Sequence, residues 1–244
     1  MSASPLALAL AAALAAGAAA PAAPYTPEER MDFSIDYLGI PMGKARIAVG
    51  KPEDGIVPLL LQARTSGVAE FFEVREQIAS VVDIATGLPR SFTLDALEGT
   101  YRHHDTTRFR REEGKATVRE QGKYDNTKEI EVPPGALDFL AMVFRLRALS
   151  LEPGATHEFD VLAGTQVSHV RSEVVGRETV KTPAGQFPAV KVRVPTGFTG
   201  TFSEKDPTYV WFSDDARRIV VRLSTHFAIG RAQADLASYQ PGRG

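Results

Sequence analysis

The sequence predicts a mainly β protein, built as a large curved antiparallel sheet or partly open barrel of about a dozen strands with one short helix. Three observations predict this. Apolar and polar residues alternate with period 2 along most of residues 30–240, short turn sequences separate the runs, and helical spacing occurs in one place. Helices and strands do not alternate along the chain, so a parallel sheet is not expected.

Composition narrows the class of protein further. The chain has 244 residues, of which 43% are hydrophobic and 24% charged, and a β-rich chain of this length can form one domain. The net charge of -2 gives no reason to expect a nucleic-acid partner. Cysteine is absent, which excludes disulfides, thiolate nucleophiles, thiolate metal sites and a lipid anchor on cysteine.

An apolar leader precedes the predicted fold. Residues 6–20 contain only Leu, Ala and Gly, a length typical of a signal peptide and short of the roughly 20 residues that span a membrane. No later apolar run is long enough to span one. Residues 1–5 carry no Lys or Arg, so a disordered Ala/Pro leader is the alternative. We expect a signal peptide over 1–22, a linker over 23–29, a single domain over 30–240, and a periplasmic or secreted protein.

The alternating runs place the strands in order. In the first half we expect strands over residues 31–37, 44–49, 57–66, 71–83, 91–97, 101–111 and 115–121. In the second half we expect them over residues 156–161, 167–175, 190–194, 209–213 and 218–224, with a last strand from 226 or 228 to 239. The intervening turns are short, apart from a polar loop over 196–206, so neighbouring strands should pair antiparallel.

Residues 136–149 form the predicted helix. Leu137, Leu140 and Phe144 recur at spacings of three and four, which puts them on one face. We expect this face to cover an end or opening of the sheet. The helix is either a plug over the core, the favoured interpretation, or a lid over a ligand space.

Several turn-rich motifs resemble those of the bacterial domain-of-unknown-function 3108 family. They comprise residues 37–43 with Gly39, Pro41 and Gly43, residues 151–154 and 176–180, residues 182–187 with Pro183, Gly185 and Phe187, and residues 211–218 with Trp211, Asp214 and Asp215. The resemblance covers most of residues 30–239 and implies an exported envelope protein on a large curved antiparallel sheet. The family has no established reaction, so no catalytic residue is carried over.

These motifs also have a structural explanation. Proline fixes φ and glycine can adopt positive φ, so we expect Pro183 and Gly185 to form a turn between two strands, after which Phe187 re-enters the core. Asp214 and Asp215 can turn the chain through hydrogen bonds to nearby backbone N–H groups.

Candidate chemical groups are few. His103 and Asp105 share a strand face and could begin a metal site, but a third ligand is not evident and solvent-facing residues are the simpler interpretation. The sequence has no nucleophile elbow and no phosphate-binding loop. We therefore predict no catalytic residue, no metal, no cofactor and no enzymatic activity.

A basic stripe is the most distinctive charged feature. Six basic residues lie at alternate positions of two adjacent predicted strands, so that within each strand they lie on one face. They are Arg102, His104, Arg108 and Arg110 on the first strand, and Lys115 and Arg119 on the second. Such a stripe could bind anionic lipid headgroups or an acidic polysaccharide, or it could be an ordinary solvated face.

Three functions from different classes are compatible with the sequence. The first is a non-enzymatic envelope protein that binds a lipid or another apolar or amphiphilic ligand on the concave face of its sheet. The second is a structural or interaction component of envelope assembly with a filled core. The third is a hydrolase acting on cell-wall polymer. Co-purified lipid would favour the first.

Overall fold

The computed structural model describes residues 25–67, 73–122, 125–195, 208–227 and 230–243, with the backbone alone described at 226, 227 and 230. The predicted signal peptide over 1–22 and the predicted loop over 196–206 lie outside these residues. No helix in the described ranges is long and apolar enough to cross a membrane.

Fourteen strands form one antiparallel sheet, which confirms the predicted fold class. Their bounds are β1 Arg30–Tyr37, β2 Ile40–Val49, β3 Ile56–Thr65, β4 Val74–Asp83, β5 Pro89–Glu98, β6 Tyr101–Arg110, β7 Lys115–Gln121, β8 Asn126–Glu131, β9 Thr156–Ala163, β10 Gln166–Thr182, β11 Gly185–Val194, β12 Thr208–Ser213, β13 Val220–Phe227 and β14 Gly230–Gln240. Each strand pairs with its neighbours in sequence, except that β8 and β9 do not pair with each other, and β1 also pairs with β14. The first and last strands therefore lie side by side in the middle of the sheet, and β8 and β9 are its edges.

Several elements differ from the sequence prediction: β10 extends to Thr182, past the predicted end at 175, β11 begins at Gly185, before the predicted start at 190, and the largest differences concern β8 and the helix. Strand β8 was not predicted, because its sequence NTKEIE carries one apolar residue and the strand depends on pairing with β7. The described helix, α1, runs over Phe139–Ala148 and not over 136–149. Asp138 is its N-cap, with an extended backbone and a side chain that accepts a hydrogen bond from the Ala141 N–H at 2.8 Å.

The residues just before α1 connect the two edges of the sheet. Leu137 N–H donates to the Asp160 carbonyl at 2.8 Å, and Leu162 N–H donates to the Leu137 carbonyl at 2.8 Å, a short parallel bridge to β9. On the other side, Val132 N–H donates to the Gly114 carbonyl at the β7 end. Ala136 packs in an apolar cluster with side chains of β7 and β9. The sheet therefore curls, with β8 and β9 joined through this segment and not through each other.

Helix α1 lies inside the curl, in the main apolar core. Leu140 and Phe144 are 1% exposed and Leu137 is 3% exposed, and they pack with inner-face residues of most strands. Ser80 of β4 donates to the Asp138 carboxylate at 2.6 Å, which fixes the start of the helix to the sheet.

A buried ion pair fixes the other end of α1. Arg147 donates to both carboxylate oxygens of Glu29, at 2.7 and 3.0 Å, and their side chains are 4% and 0% exposed. Tyr239 also donates to Glu29, at 3.1 Å, and burial next to this carboxylate raises the pKa of Tyr239 to about 12. Arg218 donates to the Arg147 and Leu149 carbonyls, which the helix itself leaves without partners.

This ion pair corrects the predicted linker over 23–29. Glu29 is 1% exposed, and the Tyr25 ring lies 6.3 Å from the Phe144 ring, centroid to centroid. Proline and alanine around 21–27 indicate an extended segment, but the buried charge of Arg147 requires a carboxylate, and Glu29 supplies it. The fold therefore includes residues from Tyr25 onward.

We expect Phe144→Ala to destabilise the protein by roughly 3–5 kcal/mol, because it leaves a cavity in a rigid core. The matched control is Phe139→Ala, at the half-buried first position of the same helix, which should cost clearly less. Equilibrium urea unfolding measures both. Equal costs for the two variants would contradict the buried placement of Phe144.

The Asp138 carboxyl should make stability depend on pH. Burial raises its pKa to about 6, against the opposing effect of its hydrogen bonds with Ala141 and Ser80. The protonated form is therefore favoured in the fold, so this contribution is complete below about pH 4 and is lost as the pH rises through about 6. A shift of roughly two pH units corresponds to about 3 kcal/mol.

Asp138→Asn isolates this effect, because the amide does not ionise, its oxygen can accept from the Ala141 N–H, and its NH2 group can donate to the Ser80 hydroxyl. Relative to wild type, the variant should gain up to about 3 kcal/mol between pH 4 and pH 7 in urea unfolding. Parallel pH profiles for the two proteins would show that Asp138 does not titrate as described.

Candidate functional site: a cavity at the open end of the curled sheet

The interior of the curled sheet has two ends. At the helix end, the space is filled by α1 and the apolar side chains around it. The opposite end, which we call the open end, is where β3 stops at Thr65, β4 starts at Val74 and the β5–β6 turn lies. Inner-face side chains there, such as His103 and Tyr101, are half-buried or exposed, so solvent reaches them.

A cross-strand row on the inner face changes from apolar to acidic. Direct pairing of β3 to β7 places five residues side by side, in the order Leu61, Ile78, Leu94, Asp105 and Glu120. Opposed side chains on one face are in contact distance of each other. This row therefore presents hydrocarbon on β3 to β5 and carboxyl groups on β6 and β7.

The next row toward the open end is built from small residues. Pairing places Ala63, Glu76, Ala96 and His103 side by side, so an alanine separates the glutamate from the histidine. Alanine side chains leave empty the volume that larger residues fill at the helix end. The row therefore creates space between two groups that can hydrogen-bond.

An open cavity of about 510 Å³ lies above these rows, on the β5–β8 side. Its lining consists of Glu98, Tyr101, His103, Asp105, Glu120, Gln121, Gly122 and Asn126. A side chain at Gly122 would meet the His103 Cβ and the Tyr101 hydroxyl at 3.1 Å, so glycine preserves the space there. The volume suits one small ligand.

The carboxyl groups around this cavity do not all ionise as they do in water. Desolvation raises the pKa of Glu76, and the neighbouring Glu98 raises it further, against the opposing charge of His103. Desolvation also raises the pKa of Asp105, with a smaller contribution from Glu120. These carboxyls therefore lose their protons at a higher pH than exposed ones do.

His103 has unused hydrogen-bonding capacity. Its Nε2 lies 3.6 Å from an Asp105 carboxylate oxygen, and its Nδ1 is buried with no hydrogen-bond partner among the described residues. The ring packs on Tyr101, with centroids 5.8 Å apart. In the described part of the chain, no three His, Asp or Glu side chains are placed to hold a metal ion.

Sequence reasoning predicted part of this site. It placed His103 and Asp105 on one face, and they are on one face. It missed Glu76, Glu98 and Glu120, because their proximity depends on the register of four strands. The sequence does carry one usable signal. In each of the strands β4, β5 and β7, these carboxylates alternate in step with apolar residues, so they lie on the inner face once the strands are aligned.

The basic stripe lies on the outer face, away from the cavity. Its residues pair across β6 and β7 as predicted, with Arg110 opposite Lys115 and Arg108 opposite Thr117. Three members have acidic partners. Arg110 and Lys115 share Glu129, and His104 contacts Asp95 at 2.5 Å. Arg102, Arg108 and Arg119 make no ion pair with the described residues.

The motif residues are structural. The first turn is shorter than predicted, because Pro41 and Gly43 belong to β2 and the turn is Leu38–Gly39, with φ of 80° at Gly39. Gly185 has the expected positive φ, 132°, just after the turn that contains Pro183.

The later motif residues hold neighbouring strands together. Phe187 is half-buried against the core. Trp211 is 6% exposed and donates to Glu178 at 2.5 Å. Asp214 binds Arg177 at 3.0 Å, and Asp215 accepts the Arg217 N–H at 3.0 Å in the predicted turn.

Comparison with known proteins identifies a matching family model and solved structures of similar fold. The family model described as a protein of unknown function, DUF3108, matches residues 32–237. No curated protein matches the chain in sequence.

Two solved structures are similar in fold. A β-barrel-like protein of domain of unknown function DUF1849 from Brucella abortus aligns with a TM-score of 0.58 at 9% identity, covering 89% of this chain and 98% of that one. A protein with a YmcC-like fold from Bacteroides fragilis aligns with a TM-score of 0.37 at 10% identity, covering 89% and 97%. At this identity the first comparison supports the fold alone.

Proposed function

The chain belongs to the DUF3108 family of proteins of unknown function, and we propose that it is an exported, non-enzymatic envelope protein that binds a small amphiphilic ligand, such as a lipid, in the open-end cavity. Export rests on the apolar run over residues 6–20 and the small residues after it. Binding rests on the cavity.

The observation that carries the proposal is the change of chemistry along the inner face. Leu61, Ile78 and Leu94 offer half-buried hydrocarbon to an apolar group, while Asp105 and His103 offer hydrogen-bonding groups a few ångströms further around the curl. A ligand with an apolar body and a polar end matches this arrangement. The cavity itself is lined mainly by polar and charged residues, and the apolar row next to it supplies the hydrocarbon.

The described helix favours this function over a protein with a completely filled core. Helix α1 is fixed at both ends by buried hydrogen bonds, so it fills the helix end and does not reach the open end. The same fixation argues against α1 as a moving lid, because opening it would expose the Glu29–Arg147 charges without partners. A ligand enters from the open end.

The proposal is tested with Ala96→Phe, which places a large side chain between Glu76 and His103 on the inner face. The matched control is Leu97→Phe, the next residue of β5, whose side chain points to the outer face. Binding of the neutral fluorescent probe N-phenyl-1-naphthylamine is titrated with the purified, delipidated full chain. Ala96→Phe should weaken binding at least about tenfold, and Leu97→Phe should leave it unchanged.

Mass spectrometry of an organic extract of the wild-type protein, purified from exporting cells, accompanies the titration. A co-purified amphiphile that Ala96→Phe loses and Leu97→Phe retains would support the proposal. Equal probe affinity in all three proteins, or no probe binding by wild type, would overturn it.

A further inference from the structure

The basic stripe divides into a neutralised part and a free part. Arg110 and Lys115 both contact Glu129 of β8, and Arg110 also contacts Glu113 at 3.1 Å. Arg108, two residues from Arg110 in β6, and Arg119, four residues from Lys115 in β7, are exposed and make no ion pair with the described residues. Two adjacent arginines on one face without a carboxylate partner are the part of the stripe available to an external anion.

The free arginines are held in a defined geometry. Arg108 lies opposite Thr117 and Arg119 lies opposite Thr106, so the two arginines are diagonal neighbours on paired strands, with about 7 Å between their Cα atoms. Both strands are paired on both sides, β6 between β5 and β7 and β7 between β6 and the edge strand β8. The backbone beneath the two guanidinium groups is therefore rigid, unlike that of a loop.

Hydroxyl groups surround the pair. Thr93 lies opposite Thr106, and Thr127 lies opposite Arg119. Together with Thr106 of β6 and Thr117 of β7, they make four threonines, one on each of the strands β5 to β8. All four lie on the same face as the two arginines. Hydroxyls donate and accept hydrogen bonds and thereby match the hydroxyl groups of sugars, whereas guanidinium groups bind carboxylates through paired N–H donors.

We propose that this outer-face patch, Arg108 and Arg119 with their flanking threonines, binds the carboxylate groups of an acidic polysaccharide. The patch is a second site: it lies on the opposite face of the sheet from the open-end cavity, and its use is independent of the proposed ligand. A membrane is the poorer fit, because lipid-binding surfaces add apolar or aromatic side chains that enter the bilayer interface, and threonines occupy those positions here.

The test compares two double variants with equal change of charge. Arg108→Gln with Arg119→Gln removes the free pair. Arg110→Gln with Lys115→Gln removes two cations from the same two strands and the same face, but from the neutralised part. Binding of an oligogalacturonate of six residues to the full chain is measured by isothermal titration calorimetry in about 0.15 M salt, where charges more than about 8 Å apart are largely screened.

The free-pair variant should bind the oligogalacturonate at least about tenfold more weakly than wild type, and the control should bind within about threefold of it. Equal loss in both variants would reduce the patch to general electrostatic attraction and overturn the proposal. So would wild-type protein that does not bind oligogalacturonate, or that binds vesicles of anionic phosphatidylglycerol in its place. Equilibrium urea unfolding of every variant is the control for folding.

Discussion

The buried ion pair between Glu29 and Arg147 is the interaction on which the rest of this structure depends. It joins the segment before β1 to the end of α1, and Tyr239 of β14 completes it. A buried charge left without its partner costs about 3–5 kcal/mol, a large part of the stability of a domain. The pair therefore fixes α1 inside the curl at its C-terminal end, as Ser80 and Asp138 do at the start.

The fixed helix explains why the interior has two chemistries. At the helix end, α1 supplies the large apolar side chains that a curled sheet needs to fill its core. Toward the open end, which α1 does not reach, the inner face carries alanines and carboxyl groups. The helix end, which α1 fills, stabilises the fold, and the open end, which α1 does not reach, provides the cavity of the proposed binding site.

Much of the sheet was predictable from the sequence, because β1 to β7 carry clear alternation and short turns. Strand β8 was not, since its one apolar residue gives no periodic signal and its place depends on the edge of β7. The start of α1 was misplaced because Leu137 has helical spacing but bridges to β9. The cavity required the register of several strands, and the neutralisation of Arg110 required Glu129 of the unpredicted β8. The local alternation of apolar and polar residues thus predicted most of the strands. The residues of the cavity and of the basic stripe come together only through pairing between strands that are distant in sequence.

The most direct test of this account is amide hydrogen exchange of α1 in the ligand-free protein. If buried hydrogen bonds fix the helix at both ends, the amides of Phe139–Ala148 that hydrogen-bond within the helix should exchange only through global unfolding, as slowly as those of Met31 and Phe33 in β1. Exchange of the helix through local opening, while β1 stays protected, would contradict the account. It would mean that α1 moves as a lid and that the division of the interior is not permanent.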